Sequence, residues 1–208
     1  MSFTVPQPLS LFPLRTVVYP GGWLPLKIFE ARYLDLISRC WRERESFGVV
    51  CLNQGAEAGA SDGDYRFEKL GTVVELDAVD SETPGVLLVR CRGTRRFRWS
   101  GEPSQNSLGL WSATAELLPE EPVVEPTPEL QRTAVALREL EQQMQQQGVS
   151  LWTQAPQYDD AGWVANRWCE LLPLPQALKQ LSLSMSDPLA RLGWVDRWLQ
   201  DQATASDE

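Results

Sequence analysis

The stretch "LFPLRTVVYPGGWLPLKIFEARY", residues 11 to 33, decides how this chain folds. Three prolines and the pair Gly21-Gly22 interrupt short apolar runs, so no single helix can span it. It is too hydrophobic for a disordered tail. Short strands broken by tight turns fit the pattern.

Working outward, β signals dominate up to residue 118. "FGVVCL" (47–52), "GTVVELDAV" (71–79) and "LWSATAELL" (110–118) read as strands. "GVLLVRCRGTRRFRW" (85–99) reads as two strands bent at Gly93-Thr94, with Leu87, Val89 and Cys91 on one face and Arg90 and Arg92 on the other. One helix interrupts: Tyr33, Leu34, Ile37 and Trp41 recur at helical spacing. The small, acidic segment 55–64 reads as a mobile loop. "PEEPVVEPTPE" (119–129) holds four prolines and four glutamates and reads as a linker. Beyond it the period turns helical, over 129–148, 159–173, 174–184 and 187–201, with Asp187 as an N-cap before Pro188. The expected organisation is a β pseudo-barrel over 1–118, a linker at 119–128, a helical bundle over 129–201 and a disordered tail at 202–208. The fold class is α+β.

Composition removes whole classes of chemistry. Histidine is absent from the 208 residues, which excludes Ser-His-Asp and Cys-His nucleophiles, His general bases and His-ligated metals. Cys40, Cys51, Cys91 and Cys169 are scattered among apolar residues without zinc-site spacing, and read as buried thiols. No phosphate-cradling G-x-x-x-x-G-K-[ST] occurs. Neither a catalytic group, a metal nor a cofactor is expected. A net charge of −9 repels nucleic acid at long range. With neither a secretory signal nor an 18-residue apolar run, the expected place is the cytoplasm, away from membranes.

Several of these stretches together resemble the Lon N-terminal (substrate-binding) domain family. Phe12-Pro13-Leu14, the Pro20-Gly21 turn, Pro25-Leu26 and Ile28-Phe29-Glu30-Ala31-Arg32-Tyr33 follow its opening pattern in order and spacing. "LGTVVEL" (70–76) looks like its Gly-Thr strand. Val89, Gly93, Arg96 and Phe97 match a later segment, and "LLPLPQALKQLSLSMSDPLARLGWV" (171–195) resembles its closing helices. The resemblance implies a PUA-like pseudo-barrel followed by a helical bundle. It places Pro13, Pro20 and Pro25 at strand edges and turns, where a missing N–H costs little, with a tight return at Gly21-Gly22. On the same resemblance, Phe29 to Tyr33 runs from strand into helix, with Glu30 near the positive N-terminal end and Glu30 and Arg32 pairing with charges inside the domain. It also implies recognition of a polypeptide or partner protein, without the ATPase and protease domains of full-length Lon.

Candidate contact residues are Trp23, Arg90, Arg92, Arg96, Trp99 and Trp111. Trp23 follows two glycines in an expected turn, and exposed aromatics mark contact surfaces. The arginines, with Trp99 to stack, suit an acidic peptide, a phosphate or RNA. Equally, they form a solvated sheet face neutralised by Asp and Glu from neighbouring strands, with Arg96 as an internal ion pair. Nine tryptophans are present, and those of the helical half sit at core spacing. Asp159-Asp160 reads as a helix cap, and Asp62-Gly63-Asp64 as a turn rather than a calcium loop. The leading expectation is a non-catalytic module that grips polypeptide, with a PUA-like RNA- or nucleotide-binding protein as the alternative. A homodimer is compatible with either.

Overall fold

The structure is a computed structural model, and it describes residues 6–54, 65–152 and 154–206. The acidic segment 55–64, with Asp62 and Asp64, lies outside the described residues. The chain divides into two compact units, Met1–Glu120 and Glu121–Glu208.

The first unit runs β1 (Gln7–Leu14), β2 (Trp23–Ile28), α1 (Ala31–Glu43), β3 (Phe47–Gln54), β4 (Arg66–Thr83), β5 (Val86–Gln105) and β6 (Trp111–Leu117). The sheet order is β2-β5-β4-β3-β1-β6, and β5 pairs a second time with β6. That second pairing closes β5, β4, β3, β1 and β6 into a ring and leaves β2 outside it, on β5. This is the α+β pseudo-barrel expected from sequence. One detail differs: Gly93-Thr94 does not break the chain into two strands. β5 is continuous over 20 residues. The bend is taken up by a register slip opposite Thr72–Val74, a bulge that turns a strand without ending it.

The opening stretch explains itself in this frame. The Val18–Gly22 turn docks on the β5 bulge. The Gly93 amide donates to the Gly22 carbonyl at 2.8 Å, and the Gly21 amide donates to the Gly93 carbonyl at 2.9 Å. Thr72 Oγ1 donates to the Val18 carbonyl at 2.6 Å. A Cβ on Gly93 would lie 2.3 Å from the Tyr19 carbonyl oxygen, so the close crossing requires glycine. The two ends of the stretch then meet, with the Tyr33 ring stacked on Phe12 at 3.9 Å between centroids. Glu30 occupies the N-cap position of α1 and pairs with Arg32 at 2.9 Å. Arg32 also donates to the Gly109 carbonyl.

Strand alternation produces two cores. Leu9 and Leu11 join Val50, Val73, Phe97 and Trp99 within the ring. Phe12 and Leu14 point the other way and pack, with Val74 and Val89, against Leu36, Ile37 and Cys40 of α1. Phe97 fills the ring. Cβ atoms on Gly48 and Gly71 would fall 2.5 and 2.9 Å from its ring.

The second unit holds a 3₁₀ turn (Pro128–Leu130), α2 (Gln131–Gln146), α3 (Ala161–Leu171), α4 (Gln176–Ser184) and α5 (Pro188–Ser206). Asp160 and Asp187 cap α3 and α5 through the Gly162 and Leu189 amides, each at 2.9 Å. Two expectations change. The Pro/Glu-rich segment packs as part of this unit from Glu121 onward: Arg191, 1% exposed, is held by Glu121, and the Ala161 amide donates to the Val124 carbonyl at 2.8 Å. Extended proline backbone makes few bonds of its own, so its carbonyls remain to serve neighbours. Where a disordered tail is expected from 202, α5 continues to Ser206. Gln202-Ala203-Thr204-Ala205 contains no helix breaker.

Candidate functional site

Half of each long strand lies outside the ring. There β2, the start of β5 and the end of β4 form a three-stranded extension whose outer face is built by register. Trp23, Pro25 and Lys27 lie opposite Arg92, Arg90 and Leu88. Across β5, Glu75 and Asp80 lie opposite Arg92 and Leu88. The charges pair off. Arg90 Nε donates to Asp77 Oδ2 at 2.6 Å, and Arg92 reaches Glu75 at 3.4 Å. The Arg90 guanidinium also lies over the Trp23 ring at 5.4 Å. All four charged side chains are between about two-fifths and one-half exposed, so each pair is worth well under about 1 kcal/mol. Leu88 and Phe29 add exposed apolar surface, at 40% and 59%.

The six residues singled out in sequence therefore fall in two places. Trp23, Arg90 and Arg92 share this outer face. Arg96 does not: it is buried at 6% exposure beyond the bulge, where the odd-numbered residues have passed from the α1 core of Val89 and Cys91 to the ring core of Phe97 and Trp99, and Arg96 takes the opposite face. Trp99 is also buried and donates from Nε1 to the Glu68 carbonyl at 2.8 Å. Trp111 sits in the same cluster, with Phe67 between the two at 5.3 and 5.5 Å. These tryptophans belong to the ring core. Arg95 turns elsewhere again, donating to the Leu118 carbonyl at 2.7 Å.

Sequence reasoning missed Trp41. Its spacing matches the buried face of α1, yet it is 41% exposed. It borders an open cleft of about 300 Å³ lined by Trp41, Arg44, Glu45, Ser46, Glu75 and Leu76. Arg44 ends α1 in a left-handed conformation, φ 58°, a position usually left to glycine. Its guanidinium lies 5.4 Å from the Trp41 ring centre. The only sequence signal for this was negative: α1 ends on Arg-Glu-Arg-Glu with no glycine to stop it.

All four cysteines are buried and unbridged. Burial pushes the Cys40 thiol up to about 11 and Cys91 up to about 12, so neither supplies a thiolate at neutral pH. Among the described residues, no group of three or more Cys, Asp or Glu side chains converges to hold a metal. No described helix is long and apolar enough to cross a membrane.

The family model described as the ATP-dependent protease La (LON) substrate-binding domain matches residues 8–201. The crystal structure of a Lon N-terminal domain protein from Xanthomonas campestris superposes with a TM-score of 0.71 at 32% identity, covering 92% of this chain and 98% of that one. The N-terminal domain of the Mycobacterium avium complex Lon protease shares the fold, with a TM-score of 0.61 at 17% identity, over 94% and 99% of the two chains. No curated protein matches the chain.

Proposed function

Because this chain belongs to the ATP-dependent protease La (LON) substrate-binding domain family, we propose that it is a non-catalytic module that holds a segment of another polypeptide on the β2–β5–β4 extension. One observation carries the location. The extension exposes the side chains of Leu88 and Phe29 and leaves Trp23 half-buried beside them, among weakly paired charges. Such a surface can desolvate against a chain without leaving a charge stranded. Among the described residues of the ring, Phe97 and Trp99 are buried in its core and Phe67 and Trp111 pack against it.

The alternative, RNA binding, draws on the same arginines. Arg90 and Arg92 already face Asp77 and Glu75, and the chain carries −9 overall, so little unbalanced positive charge remains for phosphates.

Reduced, carboxymethylated casein labelled with fluorescein is the test. Anisotropy is expected to rise with protein concentration, and a Trp23→Ala, Arg92→Ala double variant to bind about tenfold more weakly. An unchanged anisotropy with the wild-type protein would contradict the proposal. A labelled mixed-sequence RNA that bound instead, with steep salt dependence, would establish the alternative.

A further inference from the structure

The extension has two outer edges, and they differ in chemistry. On one side, β2 pairs with β5 alone. It is six residues long and carries Pro25 and Lys27, two devices that discourage an added strand. On the other side, β3 stops pairing with β4 at Val74, while β4 continues against β5 to Thr83. Residues 75–83 therefore have a strand on one side only, and their sequence holds neither proline nor lysine. The backbone hydrogen bonds described outside the ladders include none from this segment. At its start lies the Trp41 cleft, to which Glu75 and Leu76 contribute.

We propose that the polypeptide enters here, adding as a strand along residues 75–81 of β4 and seating one bulky apolar side chain against Trp41. This deepens, and rests on, the function proposed above. The cleft is open, and its volume of about 300 Å³ lies at the bottom of the range for small-molecule sites. It suits a single side chain projecting from a longer segment. The charge of the edge selects the rest. Of its charged groups between 75 and 81, Glu75 and Asp77 pair with Arg92 and Arg90 on the outer face, which leaves Asp80, exposed and opposite Leu88 on that face, to select a basic side chain. The preferred segment therefore carries Lys or Arg three residues from its apolar anchor, an odd spacing that puts the two side chains on opposite faces of a strand.

Three labelled nine-residue peptides test this: one with a central Phe flanked by Arg three residues away on each side, the same peptide with Glu for Arg, and the Arg peptide N-methylated at alternate amides. The Arg peptide is expected to bind at least about tenfold more tightly than either other peptide, and Trp41→Ala to lose about tenfold. Trp41 is half-exposed, so its removal leaves the fold intact, as near-ultraviolet circular dichroism would verify. Equal binding of the N-methylated peptide, preference for the Glu peptide, or indifference to Trp41→Ala would overturn the edge mode. If unfolded casein still bound in that case, polypeptide binding would stand and only its route would fall. Loss of casein binding altogether would remove both.

Discussion

The ring and the extension are made from the same two strands. β4 and β5 each pass from one into the other near the Gly93 bulge, and their character changes there. In the ring half, Gly71 and Phe97 face each other so closely that a methyl group on Gly71 would lie 2.9 Å from the Phe97 ring and 2.2 Å from the Val49 carbonyl oxygen. In the extension half, Arg90, Arg92, Asp77 and Glu75 form pairs that water can replace. One half spends its side chains on closing a core and has none to offer. The other is held by α1 on its inner face and is unfinished on its outer one. A bulge of one or two residues is enough to divide a strand between stability and recognition, since beyond it the same parity of β5 passes from the α1 core to the ring core.

The largest effect expected from breaking this contrast is at Phe97. Phe97→Ala should cost about 3–5 kcal/mol in urea unfolding, because the ring around it cannot collapse into the space. A cost near 1 kcal/mol would mean that the ring is loosely packed and that the contrast is overstated. Next comes the buried ion pair of the helical unit. Arg191→Ala strips the partner from Glu121 in a site where the arginine is 1% exposed, and about 3 kcal/mol is expected. A cost below about 1 kcal/mol would return the segment after Glu121 to the status of a simple tether. The smallest effect is expected at Arg90. Its pair with Asp77 is half-exposed, so a double-mutant cycle of Arg90→Ala and Asp77→Ala should give a coupling under about 1 kcal/mol. A larger coupling would mean that the extension is as rigidly specified as the ring.

Much of the fold was legible in the sequence because it depends on local patterns. The Pro-Gly-Gly turn, the strand alternation around Leu87, Val89 and Cys91, and the Asp187-Pro188 helix start each carry their own signal within a few residues. The lesson on sites is narrower. Arg90 and Arg92 were legible together because residues at even spacing share one face of a strand, whereas Trp23 was singled out as a turn aromatic and only the pairing of β2 with β5 brings it opposite Arg92. Arg96 and Trp99 were joined to them as a local cluster of arginines with a stacking aromatic, and the bulge at Gly93 sends both into buried positions. Trp41 was hidden for a different reason. Helical spacing records which residues share a face, and the last turn of α1 runs past the sheet that would have covered that face. Glu121 was hidden by composition, since proline and glutamate read as solvated chain whether or not a neighbouring helix uses their oxygens.

Hydrogen–deuterium exchange of the protein with and without excess carboxymethylated casein addresses the central claim most directly. The amides of 75–83 and the cleft residues 41–46 are expected to slow on binding, while the ring strands at 9–14 and 48–52 exchange at unchanged rates. Slowing confined to the helical unit, or no change anywhere on a protein saturated with casein, would contradict it.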